Sequence, residues 1–205
     1  MSSRSPRLQR RPQAAPSEAD PRVKRTRKLL QDALVELLGE KSFDAITVQD
    51  IAARATVNRA TFYVHFVDKY DLFARFTREW FRNGLQQRLP RAATYSPDNV
   101  RLLSLATMQA LADLNDHCRP TETLKPLIMA AVQEELAEVL RAWLTPVLAG
   151  GIEPAVAALS WAMFGAALQW SQQAARPLPE PIAAQLGTLL TRGLTHLPGG
   201  PGGVV

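Results

Sequence analysis

Between residues 46 and 72 the apolar positions recur at helical spacing, but in runs too short for one long helix. Ile46 and Ile51 flank a helix start at Thr47, where Asp50 can complete a capping box. Val57 and Phe62 flank a second start at Asn58, and Val67 and Leu72 a third at Asp68. Starts this close predict two short helices joined by a tight turn, then a longer one: a helix-turn-helix layout. Ahead of them, residues 22–40 carry Leu30, Leu34, Leu37 and Leu38 on one helical face. The third start opens a helix over residues 68–89, with Leu72, Phe73, Phe76, Trp80 and Leu85 near one face and Pro90 ending it.

The remaining chain reads as four more helices. Residues 98–115 are apolar nearly all round (Leu102, Leu103, Leu105, Met108, Leu111, Leu114), which predicts the centre of a bundle. Residues 123–144 are amphipathic, and 154–175 carry no formal charge. Residues 181–196 present a stripe of Ile182, Leu186, Leu189, Leu190 and Gly193 that runs on to Leu197. The purely apolar part of the uncharged segment, 155–168, is shorter than the roughly 20 residues a bilayer requires, so a buried helix is expected and no membrane. Little strand signal is present. The predicted fold class is all-α: a three-helix head over residues 22–67 and a larger helical bundle over 68–197, joined by the helix at 68–89.

Charge adds a second feature. The chain has a net charge of +5, yet residues 1–28 hold nine basic side chains against Glu18 and Asp20, a local excess of +7. Residues 1–21 are too polar to bury a core and read as a disordered basic arm, either a plain solvated tail or, with a DNA-binding unit directly after it, an arm for nucleic acid. Residues 198–205 read as a disordered tail. A single cysteine, Cys118, excludes an intrachain disulfide, and no secretory leader is apparent, which predicts a cytoplasmic protein. His117 and Cys118 are too few for a metal site. No phosphate-binding glycine loop, nucleophile elbow or supported carboxylate pair occurs, so no catalytic residue, metal or cofactor is expected. Glu134 and Glu135 read as a solvated outer face.

The helix opened by Asn58 is the most informative surface. Phe62 and Phe66 must point inward, leaving Ala60, Thr61 and Val64 outward, flanked by Arg59 and Tyr63 on one side and His65 on the other. Small side chains permit close approach to a groove, and an arginine at the leading end can fork onto guanine O6 and N7.

The stretch ITVQDIAARA, followed by VNRATFYVHF and DKYDL, closely resembles the DNA-binding head of the TetR family of bacterial repressors. The resemblance is specific over residues 24–73 and one of layout beyond them. It implies base contacts from Arg59, Ala60 and Tyr63, and phosphate contacts from Thr47, Asn58, Thr61, His65 and Lys69. For His65 the competing reading is a partly buried core histidine. Thr56 stands where a glycine is usual in the turn, and a positive φ there would cost a threonine about 1–2 kcal/mol. The resemblance also implies a homodimer paired through the last two helices, where Ala158, Ala162 and Ala166 allow close approach beside Leu186 and Leu190. It further implies a ligand chamber, with Met108, Met129, Trp143, Trp161, Met163 and Phe164 as candidate linings. The expected function is a repressor released from a pseudo-palindromic double-stranded DNA operator by a small hydrophobic or aromatic inducer. The alternative is an all-α adaptor or enzyme that retains the head.

Overall fold

The computed structural model describes residues 20–118, 121–148 and 150–195, with the side chains of 117, 118, 194 and 195 also left aside. The expected arm, apart from Asp20 and Pro21, therefore lies outside the described residues, as do Leu197, the tail and the His117 and Cys118 side chains. Eight α-helices and one 3₁₀ turn, with no strand among the described residues, make an all-α fold.

The head is α1 (Pro21–Glu40), a 3₁₀ turn (Phe43–Ala45), α2 (Val48–Arg54) and α3 (Arg59–His65). α1 begins where the arm was expected to continue. Asp20 accepts a bond from the Arg22 N–H at 2.8 Å, and Pro21 occupies the first helical position, whose N–H would be unpaired in any case. Leu30, Leu34, Phe43, Ile46, Ile51 and Phe62 close the core of the head. Arg54 ties α2 back to α1 through Glu36 and Glu40.

α4 (Lys69–Arg88) leads out of the head. Its buried side runs Phe73, Thr77, Phe81 and Leu85, whereas Phe76 and Trp80 lie partly exposed beside it. The predicted stripe is thus displaced, because an all-apolar count overlooks Thr77 as an inward residue. In the bundle, α5 (Pro97–Cys118) packs against α4, α7 (Ile152–Ser171) and α8 (Pro179–Thr195), while α6 (Lys125–Leu144) lies against α4 and α7. The buried hydroxyls of α5 cost little: Ser104 donates to the Val100 carbonyl and Thr107 to that of Leu103. α8 approaches α5 through Gly187, where a Cβ would sit 3.2 Å from the backbone of Arg101. None of the described helices is long and apolar enough to cross a membrane.

Glu135 corrects the solvated reading of the Glu134–Glu135 pair. It is 2% exposed, and both its oxygens accept from Arg82 of α4, at 2.8 and 2.5 Å. Arg78 reaches the same carboxylate at 3.9 Å and also pairs with Glu134, and Arg82 extends to Glu138. A buried carboxylate is tolerable only with such partners. They come from a helix more than fifty residues earlier, beyond any local pattern.

Candidate nucleic-acid interface

The turn between α2 and α3 sets the aim of α3. Thr56 takes φ +55°, the sole positive φ among described non-glycine residues. Its N–H donates to the Ala53 carbonyl at 3.1 Å and the Val57 N–H to Ala52 at 3.0 Å, which is the Schellman closure of a helix end. The turn therefore keeps the geometry a glycine would favour, and the threonine bears the strain. Thr56→Gly is expected to raise stability by about 1 kcal/mol, the relief of the left-handed conformation less the entropy of a glycine in the unfolded chain. A urea midpoint that fell on this change would refute the account.

α3 is capped by Asn58, whose side-chain oxygen accepts from the Ala60 N–H at 2.9 Å. Phe62 and Phe66 are buried, as their spacing predicts. Arg59, Ala60, Tyr63 and Val64 face outward, and Thr61 is half-buried. Arg59 lies over the Tyr63 ring, 5.6 Å from its centroid, and donates to the Tyr63 hydroxyl at 3.2 Å. Two of the three expected base-reading side chains are thus held together before any partner arrives.

The expected phosphate contacts separate into two groups. Thr61 and His65 flank the outward face of α3. His65 is partly buried, and burial, then the positive charge of Arg27 on α1, holds its imidazole below the ordinary value. The lowered value favours the neutral ring, with the Arg27 guanidinium as its charged neighbour. Thr47 and Lys69, by contrast, are occupied internally. The Thr47 hydroxyl accepts from the Asp50 N–H and gives its one proton to Asp50, which also takes the Thr47 N–H and Lys41. The Lys41 ammonium, followed by these Thr47 bonds, holds the Asp50 carboxyl at about 2. Lys69 donates to the carbonyls of Phe43, Asp44 and Ile46 at 3.0, 3.2 and 2.8 Å. Its ammonium also lies 4.7 Å from the Phe43 ring centroid and 5.5 Å from that of Tyr70. All three ammonium protons are in use, which makes Lys69 a clasp between α4 and the 3₁₀ turn.

Residues 30–76 match the model of the bacterial regulatory proteins of the tetR family. The match lies in the head and covers less than a quarter of the chain. The chain is 43% identical over 56 residues to the uncharacterized HTH-type transcriptional regulator YxbF of Bacillus subtilis (strain 168), a match spanning 27% of this chain and 15% of that protein. The fold as a whole is similar to that of the TetR-family regulator SCO0857 from Streptomyces coelicolor A3, with a TM-score of 0.58 and 18% identity over 85% of this chain and 97% of that one. It is similar also to RolR in complex with resorcinol, with a TM-score of 0.51 and 16% identity over 82% and 88%.

The candidate ligand linings do not converge on one chamber. Met129 and Phe164 line a cavity of about 240 Å³ between α5, α6 and α7, with Leu111, Ile128 and Leu168 as further apolar walls. Asn115 and Ser171 are its polar pair, hydrogen-bonded at 2.9 Å. Trp143 lines a separate groove of about 600 Å³ between α4 and α6. Met108 and Met163 are fully buried. Trp161 is 53% exposed, because helical spacing sets it beside Ala158 and Gly165 and away from the inward Leu159 and Met163, while its ring meets that of Phe164 edge-on at 6.1 Å. Ala158 is exposed on that outer stripe, Ala162 and Ala166 are half-buried along it, and Leu186 and Leu190 are half-buried on α8.

Proposed function

We propose that the protein is a homodimeric transcriptional regulator that reads a pseudo-palindromic operator with α3 and is released from it by a small, largely apolar ligand. The observation that carries this reading is the outward Arg59–Tyr63 pair, set on a capped helix behind a Schellman turn, within a head that matches the tetR family. Arg59, Ala60 and Tyr63 take the base edges. Asn58, Thr61 and His65 take phosphates, while Thr47 and Lys69 hold the frame. Pairing through α7 and α8 would cover Ala158, Trp161, Ala162, Ala166, Leu186 and Leu190, and would set two α3 helices roughly 34–36 Å apart. The family match favours this reading over an adaptor or enzyme with a retained head.

The cavity walled by Met129 and Phe164 suits a compact aromatic or aliphatic ligand. RolR, of similar fold, binds resorcinol. A ligand releases DNA only by preferring the non-binding state, and the linkage is reciprocal. The test is to select an operator from random duplexes, then measure inducer affinity with and without it. The expected result is a bound palindrome and weaker inducer binding in its presence; equal affinities would remove the mechanism.

His65 supplies a further prediction. Its folded value is depressed, so its contribution to stability is complete above the ordinary histidine value and is lost as pH falls below about 6.5. A phosphate beside it reverses that preference by favouring the protonated ring. Operator affinity should therefore rise as pH falls from 7.5 to 6 by more than in His65→Gln. Identical pH profiles for the two proteins would return His65 to a packing role.

A further inference from the structure

We propose that the groove where the head meets the bundle binds an amphipathic organic cation. It has a volume of about 850 Å³, and its walls come from α1, α4 and α5. Val35, 45% exposed, and the rings of Phe76 and Trp80 give it an apolar and aromatic lining. Asp32, Glu36 and Asp113 complete it, and no basic side chain lines it.

Each carboxylate does have a cationic neighbour. Lys28 lies 3.0 Å from Asp32, Arg54 3.2 Å from Glu36 and Arg88 3.5 Å from Asp113. None of the three cations lines the groove, and every side chain involved is a third or more exposed, apart from a marginally lower value for Arg54. Exposed pairs of this kind are weak and leave the carboxylates able to accept a second cation. An indole face close to carboxylates attracts ammonium by the ring quadrupole as well as by charge. The volume lies within the range of small-molecule sites, and three carboxylates repel an anion of the same shape. Such a ligand bridges head and bundle beside the Gln31–Glu79 hydrogen bond, which already spans α1 and α4 at 2.8 Å. The groove meets the cavity walled by Met129 and Phe164 at Leu114, which lines both, and shares none of its other walls.

Three probes of one shape test the assignment by calorimetry on the full chain: 4-phenylbutyl-trimethylammonium, 4-phenylbutanol and 4-phenylbutyrate. The cation should bind at least roughly tenfold more tightly than the alcohol, with no measurable binding of the carboxylate. Val35→Arg, which adds a like charge at an exposed edge, should weaken the cation by a similar factor, and Phe164→Ala in the bundle cavity should leave it unchanged. Glu36→Gln, fully compatible with the exposed helix face, should weaken it several-fold even if Val35→Arg does not fold. Equal affinity for cation and alcohol overturns the proposal. So does loss of binding in Phe164→Ala with none in Val35→Arg or Glu36→Gln.

Discussion

Arg59→Ala is expected to weaken binding to a selected operator by about 1–3 kcal/mol, roughly 5- to 150-fold, and to relax base preference at one position in each half-site. Arg59 stands at the leading end of α3, and its guanidinium is held by the Tyr63 ring and hydroxyl. Holding the fork in place lowers the entropy lost when it meets a base edge. Tyr63→Phe, which keeps the ring but removes the hydroxyl, should therefore weaken binding less than Arg59→Ala and in the same direction. Selection from random duplexes, repeated with each variant, measures both effects. An Arg59→Ala protein that selects the same bases would show that this side chain does not read them.

Lys69→Met is expected to cost about 2–3 kcal/mol of stability, since it leaves carbonyls of the 3₁₀ turn without their donor. Methionine keeps the apolar stem but removes the ammonium that reaches Phe43, Asp44 and Ile46. Operator affinity should fall because the approach to α2 loosens, while the dependence of affinity on salt keeps its slope. A phosphate ligand behaves differently: its loss leaves stability in place and flattens the slope by about one counterion. Urea denaturation and a salt titration on the one variant separate the two roles. An unaltered midpoint with a shallower slope would restore Lys69 to the DNA surface.

The head was legible in the sequence because its signals are local. Caps at Thr47, Asn58 and Asp68, with their flanking apolar pairs, specify three starts without reference to the rest of the chain. The strain at Thr56 was legible too, since one residue type at one turn position carries it. What escaped was set by distant partners. Nothing near Lys69 signals that three backbone carbonyls from an earlier turn will meet its ammonium. Glu135 has the outline of a solvated acid until α4 brings Arg82 across it. The exposure of Trp161 follows from its helical phase on α7, which aromatic character alone does not reveal. α1 starts one residue before its predicted bound, because Asp20 caps it and Pro21 takes the first helical position, roles that arm composition does not reveal.

The arginines at 78 and 82 are one helical turn apart, and both reach the same buried carboxylate. Each also has an outer acid, Glu134 for the first and Glu138 for the second. A small slide of α4 along α6 exchanges one of these contacts for its neighbour and never strips Glu135 of a counter-charge. Rolling α4 about its own axis turns both guanidinium groups away together and leaves a buried anion alone, which is costly. On this geometry a displacement of α4 along its axis would cost less than a rotation about it.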